Sequence, residues 1–210
     1  ITPTIVLPTG FCALGTSPTL GTSGTVFALA ALGGDLYVGG NFTTAGGVTV
    51  NNIARYHPAD NTFHPLGGAT VGTDGVVLAL TALGTDLYLG GAFTTAGGVT
   101  VNNIARYDPT TDTFYPLVGT AGDIGTNNVV NALTTLGSDL YLGGTFFTAG
   151  GVTVNRVARY TPGSATPFTA LGGAIVGTNN AVSALATLNG DLYLGGGFAN
   201  AGGVFVNNIA

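Results

Sequence analysis

The 210-residue sequence contains no Lys, Glu, Gln, Met or Trp, and only one Cys, Cys12. Charged residues make up 6 % of it, against roughly 25 % in an average soluble domain. The four strong cations are all Arg and form no basic stripe; the net charge is −5 and the pI about 4.4. That balance speaks against nucleic acid as a partner, because non-specific binding there comes almost wholly from phosphate neutralisation. A single Cys leaves no internal disulfide, and Cys12 reads as a small buried apolar side chain, with a crosslink to another chain as the alternative. With no Glu, and with no Ser–His–Asp or Cys–His arrangement, no catalytic residue is assigned and no enzyme is expected. No apolar run reaches the ~18 residues of a membrane-spanning helix, so no transmembrane segment is expected. The start at Ile1 reads as a processed form or as a segment of a longer chain.

What is present is Gly, 37 of the 210 residues, where a usual share is about 7 %. Hydrophobic residues reach 45 % and fall in periodic runs, which argues against disorder. Gly has no three-residue period, so the chain is not collagen-like. The main regularity is a repeat. Residues 93–107 (FTTAGGVTVNNIARY) copy residues 42–56 letter for letter. The Asp of a D-L-Y-x-G-G motif recurs at Asp35, Asp86, Asp139 and Asp191, in steps of 51, 53 and 52 residues. A fixed period near 50 is the mark of a repeat architecture.

Within a repeat the pattern is that of short strands. Residues 26–32 are apolar, Gly33-Gly34 interrupt, and residues 35–40 resume. Two residues with Gly between apolar runs predict a primed hairpin turn. Residues 42–47 read as a connector. Residues 48–56 alternate and are rich in β-branched side chains, which predicts a third strand. Residues 57–61 make a turn, and residues 62–66 a fourth strand. No segment shows a helical period. Four short strands in each ~50 residues predict a propeller blade.

Residues 133–144 (LTTLGSDLYLGG) and 106–117 (RYDPTTDTFYPL) resemble kelch repeats. That family has an apolar strand ending in a double Gly, a Y-D-P turn, then an aromatic residue and Leu. The sequence departs from it in carrying Phe63, Phe114 and Phe168 where Trp is usual. It also departs in blade number, since kelch propellers usually have six or seven. The resemblance implies the fold and not an activity, and the copper ligands of kelch-type oxidases have no counterparts.

The expected fold is thus all-β: one domain over residues 1–210, a four-bladed propeller of ~52-residue kelch-like repeats. The blade repeats are 26–75, 76–128, 129–180, and 181–210 completed by 1–24. Phe11 and Leu14 align with the fourth strand of the other repeats, and the last copy breaks off at Ile209-Ala210, where earlier copies go on to Arg-Tyr. Closure of the last blade by this N-terminal strand, with Asp191 marking the unfinished blade, would remove an open edge. The same strand in a neighbouring molecule would instead join chains.

Candidate site residues fall into three groups. With Phe42 opposite Val48, Asp35 faces Arg55, Asp86 faces Arg106 and Asp139 faces Arg159, as cross-strand ion pairs of roughly 0.2–1 kcal/mol each. This structural use is preferred to a ring of carboxylates holding Ca²⁺, and no metal site and no cofactor are expected. Asn51, Asn102 and Asn207 begin N-N pairs on a loop face that offers hydrogen bonds to a glycan, or else satisfies its own turns. Asn41-Phe42-Thr43 is the single glycosylation sequon. The A-G-G and G-G pairs are read as close-packing or left-handed positions rather than phosphate loops, and His57 and His64 as exposed turn residues. The composition fits an extracellular or surface-located, non-enzymatic protein whose partner is itself, in a filament or surface layer. A glycan-binding module is the alternative.

Overall fold

The computed structural model describes residue 10, residues 12–16 and residues 18–210; the fold among these is all β, with no helix. The first repeat holds β1 (Thr25–Leu32), β2 (Asp35–Asn41), β3 (Thr44–Ala45), β4 (Val48–Thr49), β5 (Ile53–His57) and β6 (Thr62–His64). The second holds β7 (Val76–Leu83), β8 (Asp86–Ala92), β9 (Thr95–Ala96), β10 (Val99–Thr100), β11 (Ile104–Asp108) and β12 (Thr113–Pro116). The third holds β13 (Val130–Leu136), β14 (Asp139–Gly144), β15 (Thr148–Ala149), β16 (Val152–Thr153), β17 (Val157–Tyr160) and β18 (Phe168–Ala170). The fourth holds β19 (Val182–Leu188), β20 (Asp191–Gly196), β21 (Asn200–Ala201) and β22 (Val204–Phe205).

The first three repeats each form one antiparallel four-stranded sheet, ordered β1-β2-β5-β6, β7-β8-β11-β12 and β13-β14-β17-β18. Each opens with a two-residue hairpin, and the turn residues select its type. Gly33 and Gly34 both have positive φ (64° and 90°), a type I′ turn, as do Asn189 and Gly190. At Gly84-Thr85 only Gly84 is left-handed (62°), the type II′ solution. Each first strand also carries a bulge, skipping Phe27, Leu78, Asn131 and Ser183 in the pairing register. The extra residue shifts the side-chain phase, so that Val and Leu three positions apart reach the same side.

The hydrophobic core lies in layers between successive sheets. Tyr37, Ile53 and Leu66 of the first blade share one cluster with Val77, Leu80, Leu89 and Phe114 of the second. Tyr88, Ile104 and Leu117 share the next with Val130, Leu142 and Phe168. Innermost strands stack in series, β1 on β7, β7 on β13 and β13 on β19.

Three features differ from the sequence-based expectation. The strand expected over residues 48–56 is split. Asn51 (φ 46°) and Asn52 (φ 67°) are left-handed and end the alternation; Val48–Thr49 folds back on Thr44–Ala45 as a small ribbon, and only Ile53–His57 joins the blade. That ribbon takes residues out of the main hairpin, so the register is shifted by two. Arg55 lies opposite Tyr37, Arg106 opposite Tyr88 and Arg159 opposite Tyr141.

The third difference is closure. In the fourth repeat the blade sheet holds only β19-β20 beside the small β21-β22 ribbon, and is extended by a bridge between Gly195 and Ile209 and by paired hydrogen bonds between Leu194 and Ala210. Serial stacking leaves β1 and β19 at opposite ends of the array, so the described residues form an open arc rather than a ring. Phe11, expected to close the last blade, lies outside the described residues. Leu14 packs against the first blade's cluster, which holds Val38, Phe42 and Phe63, and Cys12, expected to be buried, is exposed.

Candidate interaction surface

The joint between blades is built the same way three times. The first Gly of each G-G pair lies where a side chain of the next blade presses in. A Cβ at Gly39 would stand 2.6 Å from Val77 Cγ1 and 3.1 Å from Leu80 Cδ1. At Gly90 the same positions are taken by Val130 and Leu133, and at Gly143 by Val182 and Leu185. The close-packing reading of these glycines is the one the geometry supports. Beside this socket, Tyr37 meets Tyr107 of the next blade edge-on, with ring centroids 6.2 Å apart, and Tyr88 meets Tyr160 at 6.4 Å. Burial pushes the phenols of Tyr37, Tyr107 and Tyr160 up, and Tyr107 further because its hydroxyl donates to the Asp112 carboxylate (2.8 Å). Tyr88 is pushed up to about 12, by burial first and then by Tyr160 and Asp86 nearby.

A polar clamp flanks the apolar socket. Asn51 Nδ2 donates to Val71 O (3.2 Å) and Asn52 Nδ2 to Thr73 O (3.0 Å), while Thr73 N returns a bond to Asn51 O (3.0 Å). Asn102 and Asn103 hold Ile124 O and Thr126 O in the same way, at 3.3 and 2.9 Å. In the third blade Asn155 holds Val176 O, and Arg156 Nη1 replaces the second amide, 2.8 Å from Thr178 O. The left-handed Asn pairs thus hold the connector that leads into the next blade. Asn51 and Asn102 each commit one amide N–H to the connector. For Asn207 and Asn208 no side-chain partner exists among the described residues.

This difference makes a direct prediction. Asn103→Gly keeps the left-handed backbone and removes one half-buried hydrogen bond; urea unfolding should show a loss of about 1 kcal/mol. Asn208→Gly, at the unclamped copy, should stay within about 0.5 kcal/mol of the parent chain. Equal losses at the two positions would refute the clamp.

The carboxylates of the repeat lie at the hairpin ends, on the diagonal from their Arg partners. Arg55 Nε is 3.6 Å from Asp35 Oδ2, Arg106 Nη1 3.1 Å from Asp86 Oδ2, and Arg159 Nη1 3.8 Å from Asp139 Oδ2. The length of the Arg side chain spans the two-residue register shift, and diagonal neighbours on one sheet face remain within reach. All three Arg are about a third exposed or more, so each pair contributes ~0–1 kcal/mol. His57 Nδ1 lies 2.5 Å from Asp35 Oδ1, and Thr161 Oγ1 donates to Asp139 Oδ1 at 2.7 Å. Asp191 is exposed at the same position of the fourth blade, and Asn41 is exposed at the end of β2. Among the described residues no group of three or more His, Cys, Asp or Glu side chains is placed to hold a metal ion, and no helix is long and apolar enough to cross a membrane.

Among the described residues, the two ends of the arc present the two halves of the joint unmatched. Val77 and Leu80 are 0 % and 8 % exposed, but their counterparts Val26 and Leu29 on β1 are 39 % and 59 % exposed. At the other end, Tyr193 is 40 % exposed where Tyr37 is 1 %, and Leu188 is 58 % exposed. A Cβ at Gly195 would meet only Ala184 Cβ of its own blade, at 3.7 Å. A shallow apolar cleft of about 200 Å³ lies there, lined by Ala184, Ala186, Tyr193, Gly195 and Ile209. Sequence reasoning placed Ile209 at blade closure but missed Val26, Leu29, Tyr193 and Gly195; the signal was the recurrence of Val-x-x-Leu before every D-L-Y-x-G-G.

The chain is therefore an all-β array of propeller blades. Residues 34–62, 87–110 and 139–165, less than half of the chain, match a family described as a domain of unknown function (DUF5122) beta-propeller. Each matched segment covers the second and third strands of one complete blade. No curated protein matches the chain. A solved structure described as the extracellular domain of a hybrid two-component system from B. thetaiotaomicron is similar at 18 % identity with a TM-score of 0.53. The likeness, one of fold, extends over 90 % of this chain and spans 23 % of that one.

Proposed function

We propose that the protein is a non-enzymatic, extracellular or surface-located interaction protein of kelch-like repeats that assembles with copies of itself. The observation that carries this reading is the depletion of charge, because a chain with 6 % charged residues has little to keep molecules apart. The extracellular setting rests on that composition and on the likeness in fold to an extracellular domain. Glycan binding through the Asn pairs has less support, since Asn51 and Asn102 each already commit one amide N–H to the connectors.

The test is mass and shape in one native sample, by light scattering and negative-stain imaging. Regular oligomers or filaments are the expected result. Compact particles of one chain, 20.7 kDa, persisting at high concentration and high salt, would overturn it.

A further inference from the structure

We infer that the cleft between the second and third blades binds a neutral sugar residue, held by the hydroxyl of Tyr88 and the unpaired carboxylate oxygen of Asp86. This goes beyond the self-assembly reading and does not depend on it. The cleft lies at the hairpin end of β8, opposite the end that carries the Asn102-Asn103 clamp, and both blades that wall it are complete four-stranded sheets. Its volume is about 510 Å³, and Leu83, Thr85, Asp86, Tyr88, Ser138 and Pro162 line it. Small-molecule sites occupy roughly 300–1,000 Å³. Tyr88 is 2 % exposed, yet its hydroxyl has no hydrogen-bond partner among the described residues. No fully buried side-chain nitrogen or oxygen lacks a partner there, so the phenol oxygen reaches solvent, and the cleft is the opening that Tyr88 lines.

The joint between the first and second blades has a cleft of the same make, lined by Asp35, Tyr37, Arg55 and Pro109. Its polar groups are already taken. Asp35 Oδ1 meets His57 Nδ1 and Oδ2 meets Arg55, and the Tyr107 hydroxyl beside Tyr37 donates to Asp112. In the joint between the second and third blades these partners are changed. Asp108 stands in the place of His57 and, as a carboxylate, has no proton to donate; in the third blade Thr161 fills that place and donates to Asp139 Oδ1. Asp86 therefore holds Arg106 through Oδ2 at 3.1 Å and has no partner at Oδ1 among the described residues. Tyr160 packs on Tyr88, and the turn that follows it, residues 161–167, carries no Asn or Asp to replace Asp112. Its hydroxyl too has no partner among the described residues. Thr85 and Ser138 add exposed hydroxyls at the two hairpin tips. The groups left over select the ligand. Hydroxyls both donate and accept, while a carboxylate oxygen only accepts, and adjacent hydroxyls of a sugar ring answer both needs. Leu83 and Pro162 offer apolar walls to its C–H face. Asp86 and Asp108 against the one Arg106 disfavour an anion, and no metal-holding group of three exists among the described residues, which leaves an uncharged ligand.

The experiment titrates the 210-residue chain with maltotetraose, cellotetraose, xylotetraose and mannotetraose, and with trigalacturonic acid as the anionic control, by calorimetry and saturation-transfer NMR. At least one neutral saccharide should bind with a Kd of about 1 mM or tighter, whatever the oligomeric state measured beside it. Tyr88→Phe keeps the ring in the joint, removes the hydroxyl and should weaken that binding roughly tenfold. Ser138→Ala, at an exposed hairpin tip where folding is not at stake, should weaken it several-fold. Tyr37→Phe, in the cleft whose groups are taken, should leave it unchanged. Circular dichroism and urea unfolding establish that each variant is folded. Binding to none of the neutral saccharides, preference for the anion, or affinity unchanged in both Tyr88→Phe and Ser138→Ala would overturn the site. None of these results bears on self-assembly, and a chain that binds the saccharide as a monomer would overturn the assembly reading alone.

Discussion

Gly125→Ala is expected to lower the unfolding free energy by about 3 kcal/mol or more, while the matching substitution Gly21→Ala costs only about 1 kcal/mol. Both glycines are left-handed, at φ 63° and 65°, and a left-handed non-Gly residue costs roughly 1–2 kcal/mol by itself. They differ in what stands beside them. A Cβ at Gly125 would collide with the carbonyl oxygens of Val101 and Asn102 in the preceding blade. Neither group can yield. Asn102 O accepts from Thr126 N at 3.0 Å, and Gly125 is held from both sides by its bonds to Leu117 O and from Gly150 N, each 2.8 Å. Overpacking of this kind adds roughly 1–3 kcal/mol. Around Gly21 nothing lies within 4 Å. Urea unfolding of the two variants, read at constant m-value, isolates the joint from the backbone strain. Equal shifts would mean that the blade contact contributes nothing at this position. Because each repeat touches only its neighbours, the loss falls on one joint of the array.

That contrast also shows how far the sequence could be read. The repeat, its four-strand content and its hairpin turns were legible, because Gly33-Gly34 and Asn189-Gly190 announce left-handed backbone and the runs around them alternate. The register was not. Two local signals competed over residues 42–56: β-branched alternation argued for one continuous strand, and the Asn51-Asn52 pair argued for a turn. The turn won, since Asn tolerates left-handed φ while its amide gains a partner in the next connector. That partner is 20 residues away in sequence, so no local pattern reveals it. The Asp–Arg contacts were legible as neighbours and not as opposites, because an Arg side chain reaches its carboxylate from either position. Gly39, Gly90 and Gly143 were recognisable as small for a reason. Only the fold shows that the reason is a Val and a Leu from the next blade.

Alkaline pH should weaken the array by about 2–3 kcal/mol between pH 10 and 12 through Tyr88 alone. The phenol of Tyr88 is 2 % exposed and its pKa is raised to about 12, with burial the main cause and Tyr160 and Asp86 adding to it. In the unfolded chain a Tyr ionises near 10. A raised folded value means that the folded state holds the proton more tightly. Its stabilisation is complete below about pH 10 and disappears as pH rises through 12, at ~1.4 kcal/mol for each unit of separation. Tyr37, Tyr107 and Tyr160 are shifted the same way, so the fall begins with all the shifted tyrosines of the blade joints together. The window is unusually clean here. The chain has no Lys, so no lysine ionisation overlaps that of the tyrosines. Unfolding free energies measured from pH 9 to 12, beside a spectroscopic titration of tyrosinate, should fall together. Tyr88→Phe should flatten the fall by its own share, keeping the ring packed against Tyr160 while removing the proton. A profile flat to pH 12 in the parent chain would show that water reaches the phenols between the blades. The joints would then open readily, and the tight apolar seam argued from Gly90 and Val130 would not describe the protein in solution.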